Sequence, residues 1–125
     1  MAEPDHAHPV DAERVAHARA RLPGREETAR LTSVLNLMAD PTRARVLFAL
    51  DMVEELCVGD LALALEATED AVGYALRLLR TAGLVANRKQ GRVVYYRLGE
   101  GFPEPLRDHC LRQLAVLAAA APDEE

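Results

Sequence analysis

The run Glu55-Leu56-Cys57-Val58-Gly59-Asp60-Leu61 puts one of only two cysteines in the chain three positions ahead of an aspartate. Residues three apart lie on one face at the start of a helix, so a thiolate at 57 and a carboxylate at 60 can converge on one ion. The positive end of the helix dipole favours both anionic groups. Taken alone, Cys57 reads equally well as a small buried hydrophobe. Cys110, the other cysteine, falls on an apolar helical stripe, where packing is its expected role. Two cysteines this far apart do not make a secreted disulfide framework. They are expected to be thiols, free or metal-bound, in a reducing cytoplasm.

A chain of 125 residues is one domain of ordinary size. No apolar run reaches the length of a membrane span, and the N-terminus lacks a basic start followed by an apolar stretch, so a cytoplasmic protein without a membrane partner is expected. The net charge of −5 argues against a nonspecific nucleic-acid coat but leaves room for a local basic patch. No Gly-rich phosphate loop, no HExxH and no cleft-forming set of His and carboxylate residues is present, which sets enzymes aside.

Residues 1–10, "MAEPDHAHPV", have prolines and histidines but no apolar period and read as a flexible arm. Residues 11–121 read as the folded domain and 122–125 as a tail. A first helix runs through "DAERVAHARARL" to Pro23-Gly24, with Val15, Ala18 and Leu22 on one face. A second carries Leu31, Val34, Leu35 and Met38. Asp40-Pro41 is a strong start signal for a third, whose stripe is Ala44, Val46, Leu47 and Leu50. A short helix through "VGDLALAL" leads to a tight turn. Thr68 then caps "EDAVGYALRLLRTA", which buries Val72, Ala75, Leu76 and Leu79 and ends at Gly83. "GLVANRKQGRVVYYRL" reads as a hairpin with a basic tip around Gln90-Gly91. Pro103 and Pro105 introduce a last helix with Leu106, Cys110, Leu114 and Leu117 as its stripe.

The fold class is therefore mainly α with a small β-hairpin, in the order of a winged helix-turn-helix whose second helix enters the major groove of DNA. On that helix Thr68, Glu69, Asp70, Gly73, Tyr74 and Arg77 lie early and outward. The wing concentrates Arg88, Lys89, Arg92 and Arg97, each of which releases counterions when it neutralises a phosphate. Glu69 and Asp70 repel the DNA backbone unless one of them accepts from a cytosine amine.

The segments "ADPTRARVLFAL" at 39–50, "ELCVGDLALAL" at 55–65, "AVGYALRLLRTAGLV" at 71–85 and "RKQGRVVYYRL" at 88–98 together resemble the ArsR/SmtB family of bacterial metal-responsive repressors, in particular its zinc-responsive SmtB-like branch. The resemblance covers about half the chain in order and without large gaps. It implies a homodimer formed by the first and last helices, bound to operator double-stranded DNA when metal-free and released by metal.

One metal site of that branch would use Cys57 and Asp60 with ligands from the N-terminal arm of the partner, here His6 and His8, with His17 or Asp5 as alternatives. One thiolate, one carboxylate and two imidazoles suit tetrahedral Zn2+, with Co2+, Ni2+ or Cd2+ as further candidates. Relatives selecting soft ions carry a second cysteine where Gly59 stands. The branch's other site does not carry over: Glu100, Phe102, Gln113 and Val116 occupy its positions, and a single carboxylate does not hold zinc. Three rival readings stay open. Cys57 and Cys110 could form a redox or persulfide pair, the repressor could answer arsenite, or the chain could be a dimeric metal-binding module that does not bind DNA.

Overall fold

A computed structural model describes residues 7–120. The arm residues Asp5 and His6, like the tail from 122, lie outside the described residues. Two compact units divide the chain between Ser33 and Val34.

The N-terminal unit holds α1 (Ala12–Arg21) and the larger part of α2 (Arg25–Met38). The Asp11 carboxylate caps α1 by accepting from the Arg14 backbone N–H at 2.9 Å. No residue of α1 is buried, so the expected face of Val15, Ala18 and Leu22 is not a core face within this chain. Leu22 is 71% exposed and has already left the helix as its C-cap. Glu27 reaches back to accept from the Gly24 N–H at 2.6 Å, which fixes the entry to α2.

The C-terminal unit runs from α3 (Pro41–Val53) through β1 (Leu56–Cys57), α4 (Val58–Leu65), α5 (Glu69–Thr81), β2 (Val85–Gln90) and β3 (Val93–Leu98) to α6 (Glu104–Leu106). A π-helical turn, Arg107–Leu111, then leads into α7 (Arg112–Ala120). The Asp40 carboxylate caps α3 through the Arg43 N–H at 3.0 Å, and Pro41 begins the helix where no N–H is needed. Behind these caps lies one core. Val46, Leu47 and Leu50 of α3 meet Leu61 and Leu65 of α4 and Val72, Leu76 and Leu79 of α5. Val34 and Met38 pack on that core from the end of α2, whereas Leu31 and Leu35 stay on the surface.

The sheet is antiparallel and three-stranded, in the order β1-β3-β2. The hairpin β2–β3 matches expectation, turning at Gly91 with φ +65°. The short strand β1 is an addition to the expected fold, and it pairs Leu56 with Tyr96 and Cys57 with Tyr95.

The last helix corrects another expectation. Its π turn inserts an extra residue into the helical repeat, which interrupts the expected α-helical period between Leu106 and Leu117. Among the described side chains of this segment Leu111 is buried, Leu106 packs on the core, Cys110 is half-buried and Leu117 is 65% exposed. Asp51 of α3 holds this turn by accepting from Arg107 Nε at 2.6 Å. Phe102 is buried in the core, which explains an apolar residue at that position.

Candidate metal centre and nucleic-acid interface

Cys57 is placed by two elements at once. As the last residue of β1 it lies opposite Tyr95, and as the N-cap of α4 it starts a helix without spending its side chain on a capping bond. The thiol is half-buried and free, and Asp60 is exposed in the first turn of the same helix. Both groups therefore stand at the positive end of α4, with the thiol uncommitted. His8 and His17 belong to the N-terminal unit and both are exposed. Among the described residues no three His, Cys, Asp or Glu side chains converge as a metal cluster. Cys57 and Asp60 fit the thiolate and carboxylate part of a tetrahedral donor set, and such a set needs further ligands. A Cβ built at Gly59 would lie 3.6 Å from Glu69 Oε2, an ordinary contact, so position 59 has room for a Cβ.

The row that begins at Cys57 continues across the sheet. Tyr95 faces Cys57 on one side and Arg88 on the other, and residues directly opposite one another share a face. The Arg88 guanidinium stacks over the Tyr95 ring at 4.7 Å. It also donates from Nε and Nη2 to the two Glu55 carboxylate oxygens at 2.7 and 2.8 Å, and from Nη1 to Gln90 Oε1 at 2.7 Å. The hydrogen bond from Arg88 holds the Glu55 carboxyl below its ordinary value; partial burial opposes this, and the charges of Arg88 and Arg97 reinforce it. The same bond raises Arg88. Arg88 is thus tied to the segment that carries Cys57, while Lys89 and Arg92 at the tip and Arg97 on β3 are exposed.

The sequence shows neither the pairing of Glu55 with Arg88 nor the place of Tyr95 between Cys57 and Arg88. Glu55 lies 33 positions from Arg88, and nothing local marks the pairing.

The reading helix is built as its sequence requires. Glu66 closes α4 in the left-handed region at φ 54°, and Arg45 Nη1 donates to the Leu65 carbonyl at 2.9 Å, fixing the turn between α4 and α5. Thr68 Oγ1 accepts from the Ala71 N–H at 3.1 Å as the N-cap. At the other end Gly83, with φ +81°, ends the helix, and the Leu84 N–H bonds the Leu79 carbonyl at 2.9 Å. Val72, Ala75, Leu76 and Leu79 face the core, which leaves Glu69, Asp70, Tyr74 and Arg77 exposed. Arg77 lies over the Tyr74 ring at 5.5 Å. Nothing lies within 4 Å of a Cβ built at Gly73, although glycine in a helix interior costs about 1 kcal/mol relative to alanine.

Comparison with known proteins agrees with this arrangement. The family model described as "Bacterial regulatory protein, arsR family" matches residues 40–87, from the α3 cap into the wing. The chain is 37% identical over 91 residues to a transcriptional repressor SmtB homolog of Synechocystis, covering 73% of this chain and 68% of that protein. It is 40% identical over 70 residues to the arsenical resistance operon repressor of Escherichia coli, covering 56% of this chain and 60% of that protein. The structure of HlyU from Vibrio cholerae superposes with a TM-score of 0.66 at 29% identity, covering 77% of this chain and 99% of that one. The match spans the helix-turn-helix, the Cys57 segment and the start of the wing, and the chain accordingly belongs to the arsR family of bacterial regulatory proteins, with a winged helix-turn-helix fold.

Proposed function

We propose that the protein is a homodimeric transcriptional repressor that binds operator double-stranded DNA in its metal-free form and is released by a divalent metal, zinc first among the candidates. The observation that carries this reading is the position of Cys57, a free thiol at the joint where β1 of the wing sheet becomes α4 of the helix-turn-helix. A ligand pulling on that residue acts on both DNA-facing parts. Through α4 and the capped turn at Thr68 it reaches α5, and through Tyr95 it reaches the wing.

Cys57 and Asp60 supply the thiolate and carboxylate. His6 and His8 of a second copy are the proposed partners, with Asp5 and His17 as alternatives. Bound there, a divalent ion supplies charge neutralisation and a fixed tetrahedral geometry. Thr68, Asp70, Gly73, Tyr74 and Arg77 are the proposed readers of the operator, and Lys89 and Arg92 the wing cations that meet phosphate. Exposed apolar side chains on α1 and α7, such as Val15 and Val116, suit a dimer built from the first and last helices.

The Escherichia coli relative is an arsenical resistance repressor, which raises arsenite as the inducer. Gly59 disfavours it, because arsenite chemistry wants two or three thiolates together and the motif offers one. A gel shift on the promoter upstream of the protein's own gene, repeated with chelator and with zinc, tests the reading. A shift that chelator preserves and zinc abolishes supports it, and no shift under either condition refutes it.

A further inference from the structure

The shortest strand of the sheet is the one that carries Cys57. β1 pairs with β3 over two residues only, Leu56 with Tyr96 and Cys57 with Tyr95. A second tie runs across the face of the sheet. Glu55 and Cys57, two residues apart, alternate onto one face, where Tyr95 stands opposite both Cys57 and Arg88. Arg88 crosses the middle strand with its guanidinium 4.7 Å from the Tyr95 ring centroid and closes Nε and Nη2 on the two Glu55 oxygens. Its Nη1 donates to Gln90, the last residue of β2. One guanidinium thus straps the segment of Cys57 to the foot of the wing turn.

We infer, on the reading of the protein as a metal-released repressor, that this strap carries occupancy at Cys57 to the wing, with Arg88 and Tyr95 as its positioning residues. Geometry favours it over the two-residue ladder. Both Glu55 oxygens sit in a bidentate, charge-assisted fork, which fixes direction as well as distance. The Tyr95 ring beneath restricts rotation of the guanidinium, so a displacement of the Glu55 backbone moves Arg88 instead of being absorbed by its side chain. Cys57 is two residues along the same chain, and a change in its position is felt at Glu55. At the far end Arg88 passes the change to Gln90, which is flanked by the turn at Gly91 and by Lys89, with Arg92 just beyond, both of them exposed wing cations. Among the described residues no side-chain hydrogen bond or ion pair joins the Cys57 segment to α5, whose own side-chain bonds at Thr68 and Thr81 are local.

The test compares wild type, Glu55→Gln and Tyr95→Leu by the factor by which saturating zinc lowers affinity for the promoter duplex upstream of the protein's own gene. The factor is a ratio within one protein, so each variant's metal-free affinity cancels, and a contact that only supports the fold leaves it unchanged. It should drop from a wild-type value of about 5- to 150-fold to about twofold or less in both variants. Tyr95→Phe, which keeps the ring, should retain the wild-type factor. In the wild type without DNA the Arg88 Nε–H resonance should shift when zinc is added, and it should stay in place in Cys57→Ser. A wild-type factor in Glu55→Gln or Tyr95→Leu, or an Arg88 resonance that zinc does not move, overturns the inference while the repressor reading stands. Loss of zinc binding by free Glu55→Gln overturns it too, because that carboxylate would then be a ligand. If zinc leaves the affinity of the wild type itself unchanged, the repressor reading falls and the strap with it.

Discussion

Glu55 grips Arg88 with both carboxylate oxygens, at 2.7 and 2.8 Å, and so joins the residue two places before Cys57 to the second strand of the sheet. The pair engages Arg88, one of the wing cations proposed to meet phosphate. Replacing Glu55 by Gln should free Arg88 to meet a phosphate, and the plot of log affinity against log salt should steepen by about 0.9 for each wing released. Fluorescence anisotropy with the promoter fragment across a salt series measures this. An unchanged slope would mean that Arg88 stays away from DNA even when unpaired.

The same pair predicts a pH dependence. Because the Arg88 hydrogen bond lowers Glu55 from its ordinary 4.5, the unfolded chain takes up this proton at a higher pH than the folded one does. The contribution of the pair is therefore complete above about pH 4.5 and is lost as the pH falls through the lower, folded value. A carboxyl-carbon NMR titration should place the Glu55 midpoint below 4.5, and Glu55→Gln should flatten the acid limb of the stability curve. A midpoint at or above the ordinary value would contradict the clamp.

Much of the scaffold could be read from sequence because the deciding contacts are local. Asp40 and Thr68 each bond a backbone N–H three residues on, and glycine at 83 supplies the left-handed residue that ends α5. The α5 stripe likewise follows from one helical period. What could not be read depends on distant partners or on a broken period. Leu56 and Cys57 become a strand only because Tyr95 and Tyr96 come alongside, far down the chain. Cys110 fits an α-helical stripe well, and the π turn that moves burial to Leu111 leaves no signature in composition. Of the proposed ligands, Cys57 and Asp60 lie three apart at one helix start, a spacing the sequence displays, whereas the histidines carry no local geometry that links them to it.

Asp51 should matter to the last helix more than its sequence position suggests. Its side chain is 11% exposed and holds Arg107 of the π turn at 2.6 Å. Asp51→Ala leaves that guanidinium without its partner and should cost about 1 to 3 kcal/mol of stability. Urea denaturation of the two proteins side by side checks it, and an unchanged midpoint would show the contact to be incidental.

The metal preference should respond to sulfur count at one face of α4. Cys57→Ser should abolish the sulfur-to-metal charge-transfer band of the cobalt-loaded protein. A Cβ at position 59 makes only an ordinary contact with Glu69 Oε2 at 3.6 Å, and Gly59→Cys should move selectivity from zinc toward cadmium. Competition titrations with the two ions report the shift, and an unaltered preference would place the ion elsewhere.

If metal and operator compete through the joint at Cys57, linkage makes the competition measurable from the metal side. Zinc affinity is titrated with the free protein and again with the promoter duplex at saturation. DNA should weaken zinc binding by about 5- to 150-fold, the same factor by which zinc weakens DNA binding. Equal zinc affinities in the two titrations would contradict it.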